Sequence, residues 1–362
     1  MEELMKKKTM LGIILTIVVL VVALSAMYMW NAVKNTSFCV PYAQTVGTFE
    51  DFVKSGEHIP TEKMIAGVNI NGLEGEWSTH LVQGYLTDIK TYINIKKQGF
   101  DHVRLPVNFN FYYDSDNKIL IDKKMTLIDN ILDLAEKAGL YVQLDFHGWW
   151  EFNPRKNQDK ETFLTIWELV AERYRDRSEL LSFDLINEPK FYVDEINLLQ
   201  RQAIERIRKT NPTRLILCAV ADGNQPWLLN KLVLPKDNNI AVAVHIYNPG
   251  DFTHQGFEWA NPPRKKGEQV RLTDEMMDEL EWNLNETKKF MKETGYKVYL
   301  NEFGLNLQLS HPEDRSKFLR RMTEWCKEND VAWTFWGYNN GEMGLFVGKK
   351  WNKPVLNDLF LK

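Results

Sequence analysis

Cysteine is scarce in this chain. The 362 residues hold three, Cys39, Cys218 and Cys326. No CxxC and no Cys/His ligand spacing accompanies them, so neither a structural zinc site nor a disulfide framework is expected. Cys218 and Cys326 fall in strand-like and helix-like segments and read as core positions. Positive charge is not in excess either. Lys plus Arg number 45 against 49 Asp plus Glu, a net charge of -4, which argues against the basic face that nucleic acid requires. A glycine-rich phosphate turn is also lacking. After the first strand-like run the chain reads Asn71-Gly72-Leu73-Glu74-Gly75, unlike the nucleotide-binding turn of a doubly wound open sheet. Long hydrophobic runs are absent, with one exception.

That exception is the N-terminus. Lys6, Lys7 and Lys8 precede an uncharged stretch at residues 9–33. Its length matches the roughly 20 residues that cross a bilayer as a helix, and exceeds the roughly 7–15 of a cleaved signal. Ala23-Leu24-Ser25 still offers a small-residue cleavage site. Residues 1–33 are therefore expected to form a cytoplasmic stub and a transmembrane or signal-anchor helix. Residues 34–60 form a spacer and lead-in, and 61–362 the main domain. Three lysines before the span against Lys34 just after it predict an N-terminus inside and a body outside. The expected location is the cell membrane, single-pass with the domain extracellular, or secreted if the segment is cleaved.

Beyond the spacer the pattern becomes regular. Eight short apolar runs recur, at 65–71, 102–107, 141–146, 180–186, 214–220, 240–247, 297–303 and 331–336. Helical stripes lie between them. Leu127, Ile128, Ile131, Leu134 and Ala135 recur at helical spacing, with Gly139 as the stop. Ile196, Leu199, Ala203 and Ile207 repeat this, as do Phe318, Leu319, Met322, Trp325 and Cys326. Strands buried on both faces and alternating with helices imply a parallel sheet, and eight units in this length predict an α/β fold, a (β/α)8 barrel. Connections into strands are short. Those leaving the first, third and sixth strands are long and aromatic, as on the functional face of such barrels.

Polar residues gather at that one edge. Arg104 lies in strand two, His147 ends strand three, and Asn187-Glu188 ends strand four. His245 and Tyr247 end strand six, Glu302 ends strand seven and Trp336 ends strand eight. Each alone is ordinary; six strands ending in polar or aromatic groups is not. An apolar strand that delivers a carboxylate has a use for it. Two such carboxylates are what hydrolysis of a glycosidic bond needs, one as acid and one to attack or stabilise the sugar cation. With 12 Trp in the chain, Trp149, Trp150, Trp227 and Trp259 on rim loops would line a cleft by stacking on sugars. A second chemistry uses Asp145, His147 and His245 as metal ligands; Asp145 and His147 share a strand face, but no further ligand stands at suggestive spacing.

The runs HVRLPV, LDFH, LINEP, HIY, LNEFG and the terminal FWG resemble glycoside hydrolase family 5, the cellulase-type retaining (β/α)8 glycosidases. The resemblance spans roughly 65–340. FTHQGFEW at 252–259 is similar to a loop of bacterial endoglucanase-like members. Asn69-Ile70-Asn71 departs from the family, many of whose members have a His near the end of the first strand. The resemblance implies Glu302 as nucleophile and Glu188 as acid/base of an endo-β-1,4-glucanase. Arg104 and Tyr247 would hold Glu302 in its charged form, and Asn187 would bind the sugar 2-hydroxyl. His147 and His245 would bind hydroxyls or orient neighbours, and Trp336 and Trp259 would stack on the substrate. The expected partner is a β-linked polysaccharide or oligosaccharide, with the membrane reached through the N-terminal helix, no nucleic acid, a monomeric state, and no metal or organic cofactor. A β-mannanase, an exo-β-glucosidase and a catalytically inactive tethered glycan-binding protein remain alternatives.

Overall fold

The computed structural model describes residues 64–75, 83–148 and 155–362. Eight parallel strands close into a barrel. They are β1 (Ala66–Asn69), β2 (His102–Val107), β3 (Tyr141–Phe146), β4 (Leu181–Asp184), β5 (Ile216–Ala219), β6 (Ile240–His245), β7 (Lys297–Phe303) and β8 (Ala332–Phe335). Each pairs with its sequence neighbours, and β8 closes onto β1 through Ala66↔Trp333 and Gly67↔Thr334. All eight strands fall on the eight apolar runs of the sequence.

The helices form because their apolar residues repeat at three and four. In α1 (Ile89–Gln98), Ile89, Tyr92, Ile93 and Ile95 are buried. In α2 (Asp122–Lys137), Met125, Ile128, Ile131, Leu132 and Ala135 face the strands, each large side chain contributing about 1.5–3 kcal/mol by leaving water. Gly139, at φ 70°, turns the chain out of α2 into β3. Three more outer helices are α3 (Asn157–Arg173), α4 (Val193–Ile207) and α5 (Asp274–Thr294). The Thr273 side chain caps α5 by accepting from the Met276 N–H, and Gly295 ends it. In α6 (Pro312–Glu328) the stripe of Phe318, Leu319, Met322, Trp325 and Cys326 is buried as expected, and α7 (Lys353–Leu359) closes the chain.

One unit departs from the regular pattern. After β5 the chain makes a short kinked helix at Ala221–Asn224 and a 3-10 helix at Pro226–Lys231 instead of a full outer helix. Pro226 and the left-handed Asp222 and Gly223 prevent a longer one. Cys218 and Cys326 are both free and buried, as core residues. Residues 1–63, the anchor and spacer included, lie outside the described residues. Among the described residues no helix is long and apolar enough to cross a membrane.

Candidate active site

The interior of β2 sets the site. Arg104 points into the barrel with none of its surface exposed. Its Nε donates to Asp184 at 2.8 Å, and its Nη1 to Asn69 Oδ1 at 3.0 Å and to Glu302. Its Nη2 donates to Asn187 Oδ1 at 3.0 Å and lies 3.1 Å from Asp145 Oδ2. The planar fork of arginine suits this, because it presents fixed donors in several directions at once. Asn69 is held in turn by donating to the carbonyls of Asn301 and Phe335, and Asn301 donates to Asp184 at 2.9 Å.

One guanidinium thus meets three carboxyl groups. Burial works against the Arg104 charge, but Asp145, Glu302 and Asp184 more than restore it and raise its pKa. The acids cannot all be compensated. Asp145 is pushed up to about 7, by burial first and then by Glu74 and Glu188, with Arg104 opposing. Burial also raises Asp184, again against Arg104 and with Asp145 adding to the rise. These two stand side by side in the β3–β4 register, and each keeps one oxygen, Oδ1, without a hydrogen-bond partner.

Above this layer lie the two glutamates. Glu302, next to the last residue of β7, accepts from Arg104 through one oxygen and from the Tyr247 hydroxyl at 3.0 Å through the other. Glu188 is not a strand residue. The β4 ladder ends at Asp184, and Glu188 sits four residues on, in a turn, at φ 44°. That left-handed backbone costs a non-glycine residue about 1–2 kcal/mol, strain of the kind found at functional sites. The turn lifts Glu188 above the barrel, where 31% of its side chain is exposed. Among the described residues its hydrogen-bond partner is His245 Nδ1, at 3.0 Å. Loss of solvent around the carboxyl raises its pKa, opposed by Lys190, His147 and Arg104.

The histidines complete the frame. His147 Nδ1 bonds Asp145 at 2.7 Å, and its Nε2 lies 3.4 Å from Asn187 Nδ2. Burial lowers its pKa, as it does for His245, which falls to about 4 although Glu302 opposes this. Both rings are therefore neutral near pH 7. A neutral His245 can donate to Glu188 when that group is charged and accept from it when it is protonated. The Trp336 ring stacks on His147, with centroids 5.7 Å apart and planes at 12°, so one face is backed by the protein. Trp336 and Tyr247 also pack on the cluster of Phe257, Ala260 and Met343. Trp259, 69% exposed, stacks on Phe257 at 4.8 Å and meets His254 edge-on. His254 in turn meets Tyr247.

Eight of the nine residues singled out in the sequence thus form one linked network, and Trp259 joins it through His254. Trp227 does not. It stacks on Trp282 of α5, on the outer wall, at 6.5 Å. Trp149 and Trp150 lie outside the described residues. The sequence reading missed Asp184, Asn301 and His254. A polar residue at an inward position of an otherwise apolar strand, as in LSFD and LNEF, was the available signal for the first two. The trio of Asp145, His147 and His245 does not come together as a metal site among the described residues, and Asp145 Oδ2 and His147 Nδ1 are already engaged with each other. Glu188, His245 and Glu302 do bring ligand-type atoms within 4.8 Å of one another. A cation there would face the Arg104 charge already bound to Glu302, which disfavours it.

Residues 61–342 match the family model described as cellulase (glycosyl hydrolase family 5). The chain belongs to this family. The glycoside hydrolase is 28% identical over 287 residues to cellodextrinase A of Ruminococcus flavefaciens, covering 74% of this chain and 84% of that one. It is 31% identical to the solved cellulose synthase subunit Z of Clostridioides difficile, with a TM-score of 0.75 over 82% of this chain and 99% of that one. It also resembles Thermotoga maritima Cel5A, whose structures were solved with cellobiose, at 27% identity, and with mannotriose, at 26%. Both match with a TM-score of 0.74, over 82% of this chain and 97% of theirs. The hydrolase is therefore endoglucanase-like in family and fold.

Proposed function

We propose that the enzyme is a retaining endo-β-1,4-glucanase with Glu302 as nucleophile and Glu188 as acid/base. The observation that carries this is the approach of the two carboxylates, one oxygen of each lying within 4.8 Å of the other. Retaining glycosidases hold their carboxyl groups about 5–5.5 Å apart, whereas inverting ones need about 6.5–9.5 Å to admit water. The two settings also differ as the chemistry requires. Arg104 and the Tyr247 hydroxyl hold and orient Glu302 for attack. Glu188 has no arginine in contact and a raised pKa, so it keeps a proton to give to the leaving oxygen.

In the first step Glu302 forms a bond to the anomeric carbon as the glycosidic C–O bond breaks, and the Glu188 proton goes to the departing oxygen. In the second, Glu188 takes a proton from water, whose oxygen attacks the same carbon and releases Glu302. Asn187, held by Arg104, would meet the 2-hydroxyl. His147 and His245 would bind hydroxyls or hold neighbours, and the Trp336 face opposite His147 would receive a pyranose. Trp259 would extend the cleft.

The substrate reading draws on the relatives. The cellulose synthase subunit Z and the cellobiose-bound Cel5A support a β-1,4-glucan. The mannotriose-bound form favours a mannan as the second reading. We further propose residues 1–33 as a membrane anchor and 34–60 as a spacer, with the catalytic domain, 61–362, outside the cell and monomeric. That placement suits a hydrolase acting on a glucan as it leaves the membrane.

The test is reducing-end release from carboxymethylcellulose, mixed-linkage β-glucan, xyloglucan, glucomannan and galactomannan, with Glu302→Ala alongside. The expected outcome is cleavage of a β-glucan, abolished in the variant and restored by azide as a glycosyl azide. Undiminished turnover in the variant would remove Glu302 from the mechanism, and activity confined to mannans would change the substrate. N-terminal sequencing of the membrane-bound and released protein decides the anchor.

A further inference from the structure

Asp184 ends β4 inside the barrel, fully buried, and its two oxygens are used unequally. Oδ2 accepts from Arg104 Nε at 2.8 Å and from Asn301 Nδ2 at 2.9 Å. Oδ1 has no donor among the described residues. Three other buried oxygens share that condition: Asp145 Oδ1, Asn301 Oδ1 and Gln143 Oε1. Asp145 is the neighbour of Asp184 in the β3–β4 register, Gln143 stands two residues before Asp145, and Asn301 already bonds Asp184 through its nitrogen. A buried acceptor without a donor is costly, and here four of them belong to one layer of the barrel. An ionised carboxylate can only accept, whereas a protonated one donates from one oxygen. A proton on Asp184 supplies a donor where acceptors stand alone.

The charges point the same way. Arg104 is one cation against Asp145, Asp184 and Glu302, so three ionised acids would leave an excess of negative charge in a dry interior. Glu302 has a donor on each oxygen, Arg104 on one and the Tyr247 hydroxyl on the other. Asp184 has donors on one oxygen only. Burial raises its pKa, Arg104 opposes this, and the Asp145 charge adds to the rise. The other titratable groups near it bring no charge at neutral pH. The Cys218 thiol on β5 is pushed up by burial, and His245 on β6 is lowered to about 4.

We propose that Asp184 is a positioning residue for the reaction: as a neutral carboxyl it fixes the Nε edge of Arg104 and leaves the guanidinium charge to Glu302. With that edge held by Asp184, which Asn301 braces in turn, Nη1 and Nη2 stay aimed at Glu302 and Asn187. No competing anion then stands on the Nε edge. Asp184 acts only through Arg104, and its effect on turnover rests on the reading of Glu302 as nucleophile.

The experiment follows hydrolysis of an aryl β-cellobioside by the full-length parent, Asp184→Leu and Asp184→Asn, with folding checked by tryptophan fluorescence. Leucine fills the space and removes the acceptor. Its kcat/KM is expected to fall about 100-fold, the scale of a misplaced reacting group, with most of the fall in kcat. Asparagine copies the neutral acid, with an oxygen for Arg104 and Asn301 and an N–H in place of the O–H. It is expected to recover activity to within about threefold of the parent and to leave the acidic limb of the pH–rate profile in place. An ionised Asp184 would compete with Glu302 for Arg104, so its loss in Asp184→Asn would move that limb by about one pH unit or more toward acid. That shift would overturn the proposal. So would a folded Asp184→Leu with parental kcat/KM, or a folded Asp184→Asn as impaired as the leucine variant. If leucine prevents folding, the acidic limb and activity of Asp184→Asn decide alone. Glu302→Ala run alongside separates the two readings, since undiminished turnover there would overturn the nucleophile assignment and this proposal with it.

Discussion

Arg104→Lys keeps the charge at the centre of the barrel and removes the fork. Arginine meets five partners there: Asp184, Asn69, Glu302, Asn187 and Asp145. A lysine ammonium offers three donors from one point, so at least two buried partners lose their bond. Hydrogen bonds to charged groups are worth about 1.5–3 kcal/mol each, which gives a loss of roughly 3–6 kcal/mol. With a urea dependence of about 3 kcal/mol per molar, the unfolding midpoint falls by about 1–2 M. Activity falls further than stability, because Glu302 and Asn187 lose their common anchor. Misplacing a reacting group by 1 Å can cost about 100-fold, and kcat/KM is expected to drop by at least about that factor in protein that is still folded. The assay is urea unfolding by tryptophan fluorescence beside turnover of an aryl cellobioside. A midpoint within about 0.3 M of the parent would refute the argument, since it would mean that the buried carboxyls do not depend on the fork.

Glu188→Gln should reduce hydrolysis of unactivated oligosaccharides far more than that of glycosides with good leaving groups, and equal losses on both would count against the acid role. The parent's activity should also fall as pH rises through the elevated Glu188 pKa. In the glutamine variant that alkaline limb disappears from the pH–rate profile, and its persistence would assign it to another group. Stability should depend on pH through two opposing groups. Asp145 is raised from 3.8 to about 7 in the fold, so its contribution is complete below pH 3.8 and is lost as pH rises to 7. His245 and His254 are lowered from 6.5 to about 4, so theirs is complete above pH 6.5 and is lost as pH falls toward 4. Asp145→Asn should therefore raise the urea midpoint at pH 8 relative to that at pH 5, compared with the parent, and an unaltered difference would show that Asp145 does not titrate in that window.

Much of this was legible beforehand, and the reason is periodicity. Each of the eight strands is buried on both faces and reads as an uninterrupted apolar run, so its position survives without any contact information. Helix stripes such as Ile128, Ile131 and Ala135 were equally plain. Where local rules broke, the reading slipped. Asn187 and Glu188 read as the end of a strand, but the chain leaves the ladder at Asp184 and turns through a left-handed residue. Trp227 resembled a rim aromatic, but stacks on α5. No pattern in the local sequence announces a positive φ at glutamate, or which aromatic on a loop faces the cleft.

The sequence by itself determined the barrel, the edge at which its polar residues gather, and the two glutamates, since these depend on spacing along one chain. Only the tertiary structure decided how unlike the two glutamates are. Glu302 is clasped by Arg104 from β2 and Tyr247 after β6, while Glu188 is left to His245 at the cleft mouth. It alone placed Asp145 and Asp184 beside one arginine. Charge and desolvation act through space over a few ångströms, and closing the barrel brings side chains from distant strands within that reach.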